Sequence, residues 1–354
     1  MVIESIELKN YRNYEELHME LNQGTNILYG DNAQGKTNIL ESAYVCCTSK
    51  SHRGAKDRDI IRFGQDESHI KLQIRKNDVP WRIDMHLKKN KTKGIAINGI
   101  PIRRASELFG LANMVFFSPE DLNIIKNGPA ERRRFIDMEL CQLDKLYNRV
   151  LLQRNRLLKE LAFKPEYETT LDIWDEQLVK YGVEVITSRR LFIEQLGGII
   201  SGIHARLSGG KEEISVLYDP DIREEDFKAA LEKNRSQDIR QKTTLAGPHR
   251  DDINFIVNGI DIRRFGSQGQ QRTAALSLKL SELELVKLVS RDAPVLLLDD
   301  VLSELDGSRQ TQLLSAIQDI QTMITCTGLE DFVNHRFPID KIFKVVDGKV
   351  YSQN

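Results

Sequence analysis

The chain has 354 residues, a formal net charge of −1, 40% hydrophobic and 29% charged residues, which fits a soluble chain with one large core or two medium ones. The near-zero balance conceals basic runs at Lys88-Lys89-Asn90-Lys91-Thr92-Lys93, Arg103-Arg104, Arg132-Arg133-Arg134 and Arg263-Arg264, so total charge neither supports nor excludes a nucleic-acid partner. No apolar run approaches the roughly 20 residues that span a bilayer, which excludes a transmembrane helix.

The opening alternation of Ile3, Ile6 and Leu8 among charges reads as a strand and not as a signal peptide. A cytoplasmic protein with no membrane partner is expected. Cys46, Cys47, Cys141 and Cys326 show no CxxC or Cys/His spacing, so free, buried thiols and no structural zinc are expected.

In chain order, residues 2–30 read as two strands and a return strand that runs into a glycine-rich loop. A helix from Lys36 to about Thr48 follows. Alternating segments at 70–74, 81–85 and 95–97, with an Asn98-Gly99 turn, predict an antiparallel meander. After Pro119 the pattern becomes helical, from about 132 to 207. Leu140, Leu143, Tyr147, Val150, Arg154, Leu157 and Leu161 alternate steps of three and four, as do Leu171, Trp174, Leu178, Tyr181, Val185, Ser188 and Phe192. Two such stripes across Lys164-Pro165-Glu166 read either as a helical-hairpin arm about 30 Å long or as two core helices of a bundle. Gly197-Gly198 is expected to loosen the second helix, and Ser208-Gly209-Gly210 to stop it. Short mixed elements and a strand near 253–257 lead to a long helix at about 270–289, then a fully apolar strand at 294–299. A helix near 308–320, a strand at 323–326 and a hairpin turning at Asp347-Gly348 complete the chain.

Three motifs lie far apart in fixed order. Gly30-Asp31-Asn32-Ala33-Gln34-Gly35-Lys36-Thr37 matches the phosphate-loop pattern GxxxxGK[ST], in the strand–loop–helix context that pattern requires. Its backbone N–H groups would converge on phosphate oxygens, Lys36 would neutralise the β- and γ-phosphates, and Thr37 would ligate Mg²⁺. A glycine turn with an incidental lysine would not match every fixed position. Asp299 closes a buried strand, where an unpaired carboxylate is costly; contact with the Mg²⁺ held by Thr37 would explain it. Asp300 is either the group that polarises the attacking water or a structural, helix-capping acid. Ser267-Gln268-Gly269-Gln270-Gln271-Arg272 precedes that strand. Alone it could be a polar N-cap. Its position makes Ser267, Gly269 and Gln270 a γ-phosphate cap, presented to the phosphate loop of a second chain. Ser303-Glu304-Leu305-Asp306 fits a loop lining that dimer interface. These motifs predict an α/β, ABC-type P-loop ATPase head. Residues 1–117 and 290–354 would form a discontinuous mixed-sheet lobe. Residues 118–289 would form a mainly helical second lobe with a short arm at 132–207 and the signature at 267–272.

With these residues in view, the chain resembles the RecF family of bacterial recombination-mediator ATPases across essentially its whole length. The match rests on Asn10-Tyr11-Arg12-Asn13-Tyr14, the phosphate loop with Asn38, Phe117-Ser118-Pro119-Glu120-Asp121-Leu122, Arg132-Arg133-Arg134-Phe135, Gly247-Pro248-His249-Arg250, the signature, and Leu297-Leu298-Asp299-Asp300-Val301. The resemblance implies an ATP-dependent homodimer that binds single-stranded, duplex or gapped DNA. It further implies RecA loading with RecR and RecO at gaps, and links to replication and the SOS response. By analogy with the wider clan, which includes SMC heads, Arg12 reaches the nucleotide phosphates; the other reading is a surface arginine after the first strand. Lys88, Lys89, Lys91 and Lys93 would meet the DNA backbone from a hairpin tip, or would form a solubilising loop.

Two departures from the general ABC pattern stand out: Thr327 where a switch histidine is usual, and Ser118-Pro119-Glu120 where a glutamine is usual. With Asp300 in place of glutamate, slow turnover is expected. The competing readings are an SMC-like chromosome-organising ATPase, which needs a far longer arm, and a transporter ATPase subunit, which typically has the glutamine, glutamate and histidine missing here.

Overall fold

A computed structural model describes every residue except 109–110, 141–142, 330–331, 333–336 and 354; Cys141 therefore lies outside the described residues. The chain divides into two compact units, Met1–Pro119 with Glu282–Asn354, and Glu120–Ser281. The second division falls inside the long helix Gln268–Ser290. Among the described residues, no helix is long and apolar enough to cross a membrane.

The first unit holds two six-stranded sheets. One is antiparallel, built from Val2–Tyr11, Tyr14–Glu20, Glu67–Lys76, Val79–Lys88, Lys91–Ile97 and Ile100–Pro101. Its period-2 alternation turns Ile70, Leu72, Ile74, Ile83, Met85 and Leu87 inward. The other sheet has the parallel order Lys341–Val346, Thr25–Tyr29, Thr322–Cys326, Val295–Asp299, Met114–Phe117, edged by the antiparallel strand Lys349–Gln353. Thus Thr25–Tyr29 is no return strand of the opening hairpin. It joins the other sheet, paired with Thr322–Cys326 on one side and Lys341–Val346 on the other, and its burial on both faces suits that central place. The helix Lys36–Thr48 buries Ile39, Leu40, Ala43, Val45, Cys46 and Cys47 in the core of this unit.

In the second unit the hairpin helices are Leu143–Glu160 and Leu171–Leu207, joined through the 3-10 turn Pro165–Thr170. A third helix, Phe227–Gln241, packs on both. Phe227 and Leu231 share one core with Tyr147, Val150, Leu178 and Val185. Arg154, the one charged member of the first stripe, is fully buried and paired with Asp175 at 2.5 Å and Asp238 at 2.7 Å. A buried guanidinium requires such partners, and Asp238 comes from the third helix. Gly197-Gly198 does not loosen the second helix, which continues to Leu207. That stretch lies on the strand Ile214–Asp219, where a side-chain carbon at Gly197 would sit 3.7 Å from the Val216 carbonyl and Ile200 and Ile203 are buried. Packing outweighs the roughly 1 kcal/mol that a mid-helix glycine costs.

Candidate functional site

All five parallel strands run the same way, so the residues that follow them gather along one edge, where ligands of open α/β sheets bind. Tyr29 leads into Gly30, Asp299 closes its own strand, and Cys326 leads into the exposed Thr327.

The loop at 30–37 is shaped by positive φ angles at Gly30 (151°), Ala33 (65°) and Gly35 (110°). Such alternation lets successive N–H groups converge. A side chain at Gly30 would collide with the Val345 carbonyl, and one at Gly35 with Asn13 and the Tyr14 hydroxyl. Lys36 is buried, and its ammonium donates to the carbonyls of Gly30 at 2.5 Å and Asp31 at 2.9 Å. The cation therefore lies within its own loop. Burial pushes the Tyr14 phenol up, which keeps it a protonated donor to the Gly35 carbonyl at 3.1 Å.

Thr37 and Asp299 meet directly: the hydroxyl donates to the Asp299 carboxylate at 2.6 Å, and Thr325 donates to the same oxygen at 2.8 Å. Thr325 also accepts the Asp300 backbone N–H at 2.9 Å. Burial raises the Asp299 carboxyl above its ordinary range, while the two hydroxyls pull it back down. Sequence reasoning missed Thr325. The strand Thr322–Cys326 carries two hydroxyls, Thr322 and Thr325, and only the register that sets Asp299 opposite Thr325 gives the second its role. Thr325→Val keeps the shape but leaves the Asp300 N–H without its acceptor and Asp299 with Thr37 as its remaining hydroxyl donor. A loss of about 1–3 kcal/mol is expected, read from urea midpoints. Unchanged stability would show that Thr325 anchors neither group.

Arg12 has φ 50°. It forks onto the buried Glu41 with two bonds of 2.8 Å and onto the Asp59 carbonyl at 2.9 Å. Tyr11 and Ser51 also donate to Glu41, at 3.2 and 2.6 Å. Burial works to raise Glu41, but the hydrogen bonds from Arg12 and Ser51 hold it below its usual range. Among the described residues, Glu41 and the Asp59 carbonyl thus engage three of the five guanidinium donors. Arg12 lines an open cleft with Asn13, Asn38, Arg58, Arg62 and Lys89.

The signature lies in the second unit. Ser267 and Gln270 form a reciprocal capping box: the Gln270 N–H donates to the Ser267 hydroxyl at 3.2 Å and the Ser267 N–H to the Gln270 side chain at 3.0 Å. The Gly269 carbonyl accepts from Thr273 at 2.8 Å. The basic tip is a turn at 89–90 between strands ending at Lys88 and starting at Lys91. Lys88 lies 3.4 Å from Glu67 and Lys89 3.4 Å from Asp66. Lys93 turns inward to Asp57 at 2.9 Å and the Ser49 carbonyl at 2.6 Å, while Lys91 is exposed. Arg132 is buried on Asp252 at 2.6 Å, and Arg133 donates to the Asp251 carbonyl at 2.7 Å, so internal partners meet those charges. Gly247, Pro248 and His249 of the Gly247-Pro248-His249-Arg250 motif are likewise turned inward, while Arg250 is exposed: Tyr147 and His249 share a 2.7 Å hydrogen bond, and Arg189 donates to the Pro248 carbonyl at 2.6 Å.

The sequence matches the family model described as RecF/RecN/SMC N terminal domain over residues 2–349. It is 64% identical to a DNA replication and repair protein RecF of Lachnospira eligens, over all of both chains. It is 45% identical to that of Clostridium perfringens, over 99% of each. A solved structure described as the recombination mediator protein RecF-ATP in the RecFOR pathway superposes with TM-score 0.92 at 35% identity, covering 100% of this chain and 98% of the other. An Smc head bound to the C-winged helix domain of ScpA, at 18% identity and TM-score 0.59, shares the fold. The chain belongs to the RecF family of DNA replication and repair proteins.

Proposed function

We propose that this RecF-family chain is an ATP-switched DNA-binding protein of recombinational repair, in which ATP closes two copies on DNA and hydrolysis releases them. The observation that carries this reading is the junction of Thr37 with Asp299 at the sheet edge, beside a phosphate loop whose lysine is already held in place. The ATP complex of the related RecF supports the nucleotide. Two hard oxygen donors, the Thr37 hydroxyl and the Asp299 carboxylate, suit Mg²⁺. When bound, Mg²⁺ would offset the charge of the β- and γ-phosphates.

Around that pair, residues 30–35 would supply amides, Lys36 a cation, and Arg12 a second cation from the adjoining cleft. Asp300 would orient the attacking water. Ser267, Gly269 and Gln270 of a second copy would cap the γ-phosphate, because a helix N-terminus with its own serine favours an anion. The capping box makes this end rigid before any ligand arrives. RecR, RecO and RecA loading at gaps follow from family membership and from the pathway named for the solved relative. Of the basic tip, Lys88, Lys89 and Lys91 remain to meet the DNA backbone.

Mass in solution, measured with and without ATP and Mg²⁺ and then with duplex, single-stranded and gapped DNA, tests the whole reading. Doubling of the mass on ATP and tighter DNA binding are expected; a monomer indifferent to ATP and to every DNA would overturn it. Changing Lys88, Lys89 and Lys91 together to glutamine is expected to weaken duplex binding and to flatten its log–log salt dependence by about 2–3, near 0.9 for each phosphate that the tip no longer neutralises. An unchanged slope would remove this tip from the interface.

A further inference from the structure

We infer that Asn13 and the C-terminal turn Asp347-Gly348 are positioning residues of the phosphate loop, fixing the Gln34–Gly35 peptide so that its N–H is presented to phosphate. The inference deepens, and rests on, the ATP reading above. The Gln34 carbonyl accepts from Asn13 Nδ2 at 3.1 Å and from the Gly348 N–H at 3.3 Å. The Gln34 side chain accepts the Asp347 N–H at 2.5 Å. Asn38 donates to Asn13 Oδ1 at 2.8 Å. A backbone carbonyl can only accept, so the amide of Asn13 has a single chemically consistent orientation.

The turn suits this task. Asp347 and Gly348 both have positive φ, 47° and 70°, as a two-residue turn of the I′ type requires. Their N–H groups both point at Gln34, across 313 residues of sequence. A side-chain carbon at Gly348 would lie 3.1 Å from the Asn13 carbonyl and 3.2 Å from its Nδ2, so any added carbon crowds Asn13 where the positive φ already favours glycine.

A trans peptide points its C=O and N–H in opposite directions. Two donors on the Gln34 carbonyl therefore set where the Gly35 N–H points. The next carbonyl, that of Gly35, is held by the Tyr14 hydroxyl at 3.1 Å and by the Asn38 N–H at 2.9 Å, which orients the Lys36 N–H in the same manner. Glycine at 35 leaves the φ of this peptide free in the unliganded chain. The grip removes that freedom before a nucleotide arrives, so its ordering cost does not weaken binding.

The test is titration of the full chain with ADP and with ATP in Mg²⁺. Asn13→Asp keeps an acceptor for Asn38 but turns a carboxylate onto the Gln34 carbonyl. Gly348→Ala forces the turn away from Asn13. Both variants are expected to bind ADP and ATP about tenfold more weakly, with the ratio of the two affinities kept because the loop amides serve the phosphates common to both. Their nucleotide-free melting temperatures are expected to stay within about 3 °C of the parent. ADP binding within threefold of the parent in both variants, or a loss only in step with lowered melting temperature, would overturn the inference. A parent chain that binds neither nucleotide would overturn the ATP reading itself.

Discussion

Replacing Lys36 by alanine is expected to lower ATP affinity on the order of a hundredfold or more. A hydrogen bond to a charged group contributes about 1.5–3 kcal/mol, and the ammonium would serve two phosphates. Lys36 is buried and held by the Gly30 and Asp31 carbonyls, so its entropy is already lost in the free chain and little offsets its contribution on binding. The substitution also strips those two carbonyls of their donor, which loosens the loop itself. Arginine is no substitute, because a planar fork cannot place one compact charge between two backbone oxygens. Calorimetric titration with ATP and Mg²⁺ checks this, with the nucleotide-free melting temperature as control. A dissociation constant within threefold of the parent would mean that the ammonium faces no phosphate.

Legibility of this site in the sequence followed chain locality. The loop at 30–37 declares itself because every functional atom comes from eight consecutive residues. The junction of Asp299 with Thr37 was legible because a carboxylate closing an apolar strand has few inexpensive explanations. A polar N-cap was legible at Ser267, but its reciprocal bond with Gln270 came only from the structure. Thr325 was not, because its role depends on which strand lies beside Val295–Asp299 and in what register. The Asn13–Gln34–Gly348 grip was hidden for the same reason, since Gln34 meets a turn over three hundred residues away. The basic run illustrates the reverse case. Four lysines looked equivalent in composition, yet only the fold shows Lys93 turned onto Asp57 and Ser49. Alternation and apolar runs likewise revealed most strands of the first unit but not their division between two sheets.

Asp300→Asn is expected to reduce ATP hydrolysis by about a hundredfold or more, the scale of a lost general base, while ATP affinity stays within about threefold. The backbone makes this an unusually clean substitution. Asp300 has φ 56°, a left-handed conformation that asparagine tolerates and alanine resists by roughly 1–2 kcal/mol. Its N–H is held by Thr325 and its carbonyl accepts from Ser303 at 2.8 Å, neither of which involves the carboxylate. Asparagine therefore removes the charge and leaves the turn in place, whereas alanine disturbs both. If Asp300 were only a structural acid, asparagine would hydrolyse ATP at the parent rate and alanine would differ through stability. If it orients water, both lose turnover and the asparagine variant alone keeps the parent melting temperature. ATP would still bind through Lys36, Thr37 and Asp299, so the closed dimer should persist in ATP and DNA should dissociate slowly. Single-turnover hydrolysis and DNA off-rates, measured on the same preparation, separate these cases. Parent-like hydrolysis would remove Asp300 from the chemistry and leave Asp299 as the one acid of the pair with a role in ATP turnover.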